Sequence, residues 1–569
     1  MDPRQLKPIG DRQFCKGMNE MVFHCYAHQN DDRFPGMTLG QFGLNFTRKL
    51  TWWDQGSDWI EYITRCQHML RQGLFVADVC YFYGENAPSS VYYYVPDVLE
   101  PRKMNKPVTP AGYDYDCCDW TTLSRMTVKD GRVVLPHGMS YAYLVVPANA
   151  QMTVHSLEKI RELIRAGATV VGPEPLRSPT LVGYPQADKF IQSTAEKLWP
   201  KEKGPAGKQA GKARVINCDA FEEIFTHDKL PADFEVLSNQ EDTDIGYIHR
   251  KLDEMDIYFV CNQKERIQDT TLLFRVSGKV PEIWHPETGE MTKAPLYSFE
   301  GDRTAVAVRM KPFESFFVVL RKSSKKQDAA VMLAKDGQPT GLRVLKAQGS
   351  FESMDDTLSE SVPAASVSVD NGIRLTVWEA GDYTVKLSSG DTRQATVDSV
   401  PAPVTVQGPW NVSFQQGRRA PEGVTVFEKL VSWPEHADNG IKYFSGTASY
   451  KKNIFVGKDR LKDGMKIHLD LGAVKNVAEV VVNGKNLGVL WKIPFEVDIT
   501  PALRHGDNEL EIRVTNLWPN RLIGDQNLPP NERVTWGFYR FYDDNSPLFE
   551  SGLIGPVRLL SSVEVATSK

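Results

Sequence analysis

The spacing of apolar residues predicts an amphipathic helix close to the start of the chain. Over residues 58–73 the apolar side chains recur on one face at helical spacing, with Asp58 and Glu61 as the expected capping box and Gly73 as the expected end. A continuous apolar run at 74–84 follows, and such runs form strands that are buried on both faces of a parallel sheet. The pattern therefore predicts the start of an α/β unit.

The alternation of strand and helix continues beyond this run. Apolar runs at 143–148 and 168–173 flank a helical pattern at 157–165, which Gly167 is expected to end. The lysine- and glycine-rich stretch 202–218 interrupts the unit. It lacks the G-x(4)-G-K-[ST] spacing of a phosphate loop, so we predict an exposed loop there.

The second half of the chain carries strand patterns without helices. Apolar runs separated by turn-rich pieces predict β structure from residue 256 onward, and 321–328 and 399–404 have the composition of linkers. The last section repeats its strands at the spacing of a sandwich or jelly roll. Within it, Asn483-Gly484 is the dipeptide of a two-residue hairpin turn.

Composition limits the kind of protein and the kind of partner. A chain of 569 residues is too long for one core and predicts several domains. The net charge of -5 gives no electrostatic reason to expect a nucleic acid. Neither a membrane-spanning apolar run nor the apolar region of a signal peptide occurs, so we expect no membrane partner and no signal in this chain. The eight cysteines include no CxxC pair, so neither a zinc site nor a disulfide framework is indicated.

Polar and aromatic residues crowd together near the N-terminus. Indole rings stack on the apolar faces of sugars, while amides, imidazoles and carboxylates bind the hydroxyl groups, so this mixture suits a carbohydrate. The alternative is a purely structural role, in which His24 and Trp53 are core residues with satisfied hydrogen bonds. The predicted substrate contacts are Asn19, His24, His28, Trp53 and Asp54.

Hydrolysis of a glycosidic bond normally needs two carboxyl groups, one on each side of the bond. Glu20 and Glu85 are the candidates that we weigh in this part of the chain, beside Asp31, Asp32 and Asp54. Glu85 follows a buried strand and would lie at its carboxyl end, where α/β proteins bind ligands. Its alternative is a solvated turn residue after a glycine.

Five tryptophans of the last section offer a second place for sugar binding. Jelly rolls commonly serve as lectin-like modules, but most buried tryptophans simply fill a core, and both alternatives stay open. The five are Trp410, Trp433, Trp491, Trp518 and Trp536.

Several segments together resemble the C-terminal half of the family 106 glycoside hydrolases, the α-L-rhamnosidases. The resemblance runs in order along nearly the whole chain and ends, as is usual in the family, at SGLIGPVRLL. The other segments that carry it are KPIGDRQFCKGMNEMVFHCYAHQ, TWWDQGSDWIEYITRCQHML, ADVCYFYGENAP, SGTASYKKNIFV and VVVNGKNLGVLWKIPFEVDIT.

The resemblance implies a fold class: multidomain α/β plus all-β, with the end of a (β/α)8 barrel, a parallel α/β domain, β-sandwich modules and a galactose-binding-like jelly roll. NEMVFH matches the last barrel strand, and the helix from Asp58 matches the last barrel helix. The implied segments are 1–75 (barrel end), 76–255 (Rossmann-like), 256–322 (β-sandwich), 329–400 (small β module) and 404–569 (sugar-binding-like jelly roll).

The resemblance also implies an activity. The expected reaction is an inverting, calcium-dependent release of terminal α-L-rhamnose from plant or bacterial polysaccharides by a periplasmic or secreted protein. Because a barrel closes only when all its strands pair, the main acid and base are expected upstream of Met1, and the calcium site is not placed. An N-terminal barrel fragment is then an expected partner. The alternative is a non-catalytic carbohydrate-binding or scaffolding protein.

Overall fold

The computed structural model describes most of the chain. The described residues are 1–26, 28–29, 31–39, 46–85, 109–218, 220–323, 328–344, 365–369 and 372–568. Residues 324–327 of the predicted linker lie outside the described residues, as do Asp370 and Asn371, which with Gly372 form a predicted turn.

Two helices dominate the N-terminal segment. Its elements are α1 (Pro3–Cys15), β1 (Phe34–Gly36), α2 (Ser57–Leu70) and β2 (Leu74–Phe75). The backbone N–H of Gln5 donates to the Asp2 carboxylate at 2.9 Å, and the Gln5 side chain accepts from the Asp2 N–H at 3.3 Å. This capping box, with Pro3 in the first turn, explains where α1 begins.

The helix predicted from residue 58 is confirmed, but its capping box is wrong. Helix α2 begins at Ser57 without a side-chain cap. The Asp58 carboxylate accepts a hydrogen bond from the Val489 N–H at 3.3 Å, and Glu61 pairs with Arg65 at 2.6 Å. A tertiary contact thus uses Asp58, and an ion pair within the helix uses Glu61.

The barrel strand expected at residues 19–24 is wrong. This stretch has no regular secondary structure, and the Met21 N–H donates to the side chain of Gln67. A strand needs a neighbour for its ladder, and no strand pairs with this stretch within the described part of the chain. The segment around it is held by α1, α2 and two very short strands.

An α/β unit follows. Its strands are β3 (Val79–Phe82), β4 (Tyr115–Cys118), β5 (Thr127–Lys129), β6 (Arg132–Val134), β7 (Ser140–Tyr141), β8 (Tyr143–Val145), β9 (Thr169–Val171), β10 (Lys208–Ala210) and β11 (Ala213–Ile216). Its helices are α3 (Trp120–Ser124), α4 (Val154–Ala166), α5 (Gln186–Leu198) and α6 (Phe221–Asp228). The main sheet has the order β10-β11-β9-β8-β3-β4, and all neighbours except β10 and β11 are parallel. Helix α4 ends at Gly167, whose φ of 111° lies in the left-handed region, as predicted.

The exposed loop predicted at 202–218 is only partly correct. Strands β10 and β11 form an antiparallel hairpin inside it, and Val215 and Ile216 are fully buried. Strand β11 extends the parallel sheet because its apolar residues pack on that core.

Two antiparallel sheets form the next section. Its strands are β12 (Phe234–Leu237), β13 (Ile245–Lys251), β14 (Met255–Asn262), β15 (Gln268–Phe274), β16 (Val280–Trp284), β17 (Met291–Lys293), β18 (Tyr297–Glu300), β19 (Arg303–Met310) and β20 (Ser315–Arg321). The sheets have the orders β12-β15-β19-β18 and β17-β16-β20-β14-β13-β2. Strand pairing starts this section at Phe234, earlier than the expected boundary at 256, and includes β2 from the N-terminal segment.

The small β module shares a sheet with the end of the chain. Its strands are β21 (Ala330–Lys335), β22 (Gln338–Arg343), β23 (Ala365–Val369), β24 (Ile373–Val377), β25 (Gly381–Leu387) and β26 (Thr392–Val397). Four of them form the sheet β22-β21-β25-β26. The other two, β23 and β24, extend the sheet that contains the last strand of the chain, so the module is fixed to the C-terminal domain.

The C-terminal domain is a β structure with one large core. Its helices are α7 (Asn439–Lys442) and α8 (Pro519–Gln526), and its strands are β27 (Val404–Thr405), β28 (Trp410–Phe414), β29 (Val424–Phe427), β30 (Thr447–Val456), β31 (Met465–Asp470), β32 (Ala473–Lys475), β33 (Val477–Val482), β34 (Lys485–Leu490), β35 (Glu496–Asp498), β36 (Gly506–Thr515), β37 (Thr535–Gly537), β38 (Gly552–Gly555) and β39 (Arg558–Ala566). The sheets run β23-β24-β39-β31-β35 and β29-β28-β30-β36-β33-β34. Asn483 and Gly484, with φ of 50° and 79°, form the predicted hairpin turn between β33 and β34. The jelly-roll arrangement stays a prediction.

Candidate functional site

Aromatic rings cluster where the loop after α1 meets the start of α2. Phe46 lies at the centre, with its ring centroid 4.9 Å from that of Phe23, 5.1 Å from Trp53 and 6.1 Å from Trp59. Trp52 packs edge-on against Trp59 at 6.0 Å. Sequence separation is short here, which is why the crowding of these residues was visible in the sequence.

A groove of about 470 Å³ runs beside this cluster, between α1, the loop after it and α2. Phe23, Phe46 and Trp59 line one side, and His24 contributes an imidazole. Most of the lining is apolar, with a few polar groups, which is the usual build of a small-ligand site.

The polar groups at the groove come from a buried charge network. Lys7 is 1% exposed, and its Nζ donates to Asp11 Oδ2 at 2.7 Å and to Ser315 Oγ at 2.7 Å. The Tyr62 hydroxyl donates to Asp11 Oδ1, and Glu287 Oε1 lies 3.7 Å from the Lys7 ammonium. The network ties both helices of the N-terminal segment to the antiparallel section.

Electrostatics keep the Lys7 ammonium charged. Burial lowers the pKa of Lys7, but the carboxylates of Asp11 and Glu287 more than reverse this effect, so the pKa lies above its ordinary value. Sequence reasoning missed this network because charged residues at helical positions are normally read as a solvated face.

The predicted substrate contacts are only partly brought together. His24 lines the groove, and Trp53 joins the cluster through Phe46, with Tyr26 at 6.3 Å on its other side. Asn19, His28 and Asp54 are exposed and do not line this groove.

Glu85 has a structural role. It lies after β3, as predicted, and its carboxylate accepts from the Thr153 N–H at 2.9 Å and the Thr153 hydroxyl at 2.6 Å. Thr153 is the N-cap of α4, where a negative charge is favourable. Glu85 therefore anchors the start of a helix.

We expect Glu85→Ala to lower the free energy of unfolding by about 1–3 kcal/mol, because two hydrogen bonds to a charged acceptor are lost. Urea unfolding at neutral pH measures this loss. Glu20→Ala is the control, because Glu20 is exposed and lies 3.7 Å from Arg71, and its effect should stay below about 1 kcal/mol. Equal effects of the two substitutions would refute the anchoring role.

Two further candidate carboxylates, Glu20 and Asp31, lie in surroundings that do not suit a catalytic acid. Glu20 is exposed beside Arg71. Hydrogen bonds from Arg33 hold the pKa of Asp31 at about 2, so this group stays ionised and is unsuited to donate a proton. Neither catalytic role is assigned to them.

The C-terminal domain reaches the N-terminal segment directly, which the sequence did not indicate. Strand β1 pairs in parallel with β37, placing Phe34 opposite Thr535. The Trp518 indole N–H donates to the Lys49 carbonyl at 2.8 Å. The Arg418 guanidinium lies over the ring of Phe34 at 3.9 Å.

The tryptophans of the C-terminal domain are mainly core residues. Four are nearly completely buried, and only Trp536, which lies on β37, is half-buried. The buried four are Trp410, Trp433, Trp491 and Trp518. The core alternative therefore holds for all of these except Trp536.

No group of three or more His, Cys, Asp or Glu side chains is placed to hold a metal ion within the described ranges. Calcium ligands are therefore not assigned. None of the helices in the described part of the chain is long and apolar enough to cross a membrane.

An aromatic groove in a multidomain, largely β structure is typical of carbohydrate-active proteins. Two family models match this chain: alpha-L-rhamnosidase over residues 1–299, and the sugar-binding domain of family 2 glycosyl hydrolases over residues 403–544. The chain belongs to the alpha-L-rhamnosidase family, glycoside hydrolase family 106. The family that the sequence resembles is confirmed, whereas the assignment of this chain to the C-terminal half of such a protein stays a prediction.

Individual relatives differ in name. The solved structure of a rhamnosidase from Novosphingobium sp. PP1Y is 31% identical, with a TM-score of 0.77, over 99% of this chain and 46% of that chain. A protein of Formosa agariphila named putative beta-glucuronidase is 30% identical over 99% of this chain and 62% of its own length. A second Formosa agariphila protein, named beta-glucuronidase, is 33% identical over 14% of this chain and 8% of its own length. This chain therefore spans 46% of the length of the rhamnosidase and 62% of the length of the putative beta-glucuronidase.

Proposed function

We propose that the protein acts on glycans as an α-L-rhamnosidase, releasing terminal α-L-rhamnose from plant or bacterial polysaccharides with inversion. The observation that carries this proposal is the likeness to the Novosphingobium rhamnosidase over 99% of the chain. The aromatic groove supports it, because flat apolar walls and an imidazole suit a deoxy sugar, which has one methyl group and several hydroxyls.

In this proposal the described residues supply substrate contacts. His24 is the predicted contact that lines the groove, and Trp53 lies behind the groove wall against Phe46. Trp53, Asn19, His28 and Asp54 stay predictions as substrate contacts. The acid and base are proposed to lie outside the described residues, because Glu85 caps a helix and Glu20 lies in solvent beside Arg71. The chain would then correspond to the C-terminal half of the family, with a barrel fragment as partner. Calcium dependence and a periplasmic or secreted location are proposed from the family resemblance alone.

A β-glucuronidase is the second candidate, because the Formosa agariphila relative carries that name. The two differ in charge, since a glucuronate has a carboxylate where rhamnose has a methyl group. Calorimetric titration with an aryl α-L-rhamnoside and an aryl β-D-glucuronide separates them, and we expect the rhamnoside to bind more tightly. We expect neither to be turned over by this chain alone, and robust turnover would contradict the placement of the acid and base outside the described residues.

Binding tests the contact residues directly. We expect Trp53→Ala to weaken the binding of a rhamnose-terminated oligosaccharide about tenfold, on the order of 1.4 kcal/mol, because Trp53 packs against Phe46, whose ring lines the groove, and this support is lost. Isothermal titration calorimetry measures this affinity. Phe455→Ala is the control, because Phe455 is 69% exposed on β30 and does not line the groove. Unchanged affinity in Trp53→Ala would remove Trp53 from the site.

A non-catalytic carbohydrate-binding or scaffolding protein remains the alternative, built on the α/β unit and the C-terminal domain. It predicts that glycan binding does not depend on the N-terminal groove. Full affinity in the Trp53→Ala variant, together with no turnover, would favour it.

A further inference from the structure

A small cavity shares Trp52 with the groove. Its volume is about 150 Å³. Thr51 and Trp52 line it from the N-terminal segment, and Trp518, Leu522, Phe541 and Tyr542 line it from the C-terminal domain. A cavity of roughly 150 Å³ is large enough for a benzene-sized ring.

The two walls are fixed relative to each other. The hydrogen bond from Trp518 to the Lys49 carbonyl joins them at 2.8 Å, and the rings of Phe34 and Trp518 stack with centroids 5.4 Å apart. Asp525 fixes the start of the segment that leads to Phe541, because it accepts from the Thr535 N–H at 2.8 Å and the Thr535 hydroxyl at 2.6 Å. The cavity is therefore formed before any ligand binds.

Trp52 connects this cavity with the candidate site, because its ring lines both the cavity and the groove. The opposite wall comes from residues within 403–544, the part that matches a sugar-binding domain. Aromatic side chains on both walls can face the apolar side of a sugar ring. A glycan in the groove would thus find a second, ring-sized space beside it.

We propose that this cavity is a subsite for one pyranose ring of the glycan, next to the ring held in the groove, and that the C-terminal domain supplies its outer wall. The proposal rests on the proposed function, since it assumes a carbohydrate ligand. It assigns Tyr542 and Phe541 to substrate binding and gives the C-terminal domain a direct part in choosing oligosaccharides over monosaccharides.

Calorimetry on the full chain tests the subsite with two probes, L-rhamnose and a rhamnose-terminated trisaccharide. Tyr542→Ala removes part of the wall, and Leu522→Trp fills the space. Both should weaken trisaccharide binding at least tenfold and leave rhamnose binding within twofold of the wild type. The control is Phe538→Ala, because Phe538 is 72% exposed and does not line the cavity, and it should change neither affinity.

The outcomes separate the two claims. Unchanged trisaccharide affinity in Tyr542→Ala would overturn the subsite, even if Leu522→Trp fails to fold. Equal affinity of the wild type for rhamnose and trisaccharide would overturn the subsite and leave the proposed function standing. A wild type that binds neither probe would overturn the proposed function and the subsite with it.

Discussion

Replacing Lys7 by methionine lowers the free energy of unfolding by about 3–5 kcal/mol, because the change leaves the buried Asp11 carboxylate without its cation, while Glu287 keeps Lys492 at 3.2 Å. Asp11 and Glu287 face the Lys7 ammonium at 2.7 Å and 3.7 Å, and the Lys7 and Asp11 side chains are 0% and 1% exposed. Methionine keeps the length and apolar stem of lysine, so the loss reports the charge. Urea unfolding followed by tryptophan fluorescence measures it.

A surface lysine is the matched control for this substitution. Lys322 follows β20 and pairs with Glu254 at 2.8 Å, and the two side chains are 68% and 69% exposed, so Lys322→Met should cost less than about 1 kcal/mol. The double variant Lys7→Met with Asp11→Leu should recover part of the loss, because apolar residues often replace a buried ion pair without penalty. Equal costs at positions 7 and 322 would contradict the role of the network.

The second large effect is expected at His249, in a buried cluster that joins β13 and β14 to neighbouring charges. Its Nδ1 lies 3.0 Å from Asp233 Oδ2, and its Nε2 lies 3.1 Å from Asp256 Oδ1. Because a neutral imidazole has one N–H, two carboxylate partners favour the doubly protonated ring. His249→Gln should therefore destabilise the protein by about 3–5 kcal/mol at pH 5.5.

The cost of His249→Gln should depend on pH. Burial lowers the pKa of His249, but Asp233 and Asp256 more than reverse this, so the pKa lies above 6.5. Its contribution is complete below the ordinary pKa and is lost as the pH rises through the raised value. The pKa values of Asp233 and Asp256 are lowered from 3.8, because the cations beside them outweigh burial, so their contributions are lost only as the pH falls through the lowered values.

Unfolding of wild type and variant at pH 5.5 and pH 9 checks this dependence. The cost of His249→Gln should be smaller at pH 9 than at pH 5.5, because the contribution of a raised imidazole pKa falls as the pH rises above the ordinary value of 6.5. The control is His227→Gln, because the His227 side chain is 44% exposed and pairs with Asp228 at 2.8 Å, and it should cost less than about 1 kcal/mol at both values. A pH-independent cost at His249 would show that the ring is not charged in the folded protein.

Local patterns allowed much of the fold to be predicted. Helix α2 followed from its apolar face, α4 from its face and Gly167, and the β33–β34 hairpin from Asn483-Gly484. Each of these signals lies within a few residues of the element that it specifies. Helix α1 was missed because Lys7 and Asp11 are buried on it and Pro8 lies inside it, both of which argue against an amphipathic helix.

The site could be predicted only where its residues are close in sequence. The ring cluster around Trp53 was visible, because its members lie within a few dozen residues. The buried charge network around Lys7 was not visible in the sequence, because Lys7 and Ser315 are 308 residues apart in sequence. The strand expected at 19–24 rested on the family resemblance and has no pairing partner in the described structure, and strand formation depends on such a partner. The pairing of β1 with β37 left no local signal.

Under the proposed function, the N-terminal groove and the C-terminal domain together bind a rhamnose-terminated glycan. The most direct measurement is calorimetric titration of the full chain with a rhamnose-terminated trisaccharide and with the same glycan after removal of its terminal rhamnose. The proposed function predicts binding of the first and at least tenfold weaker binding of the second. Equal binding of the two glycans, or binding of neither, would contradict it.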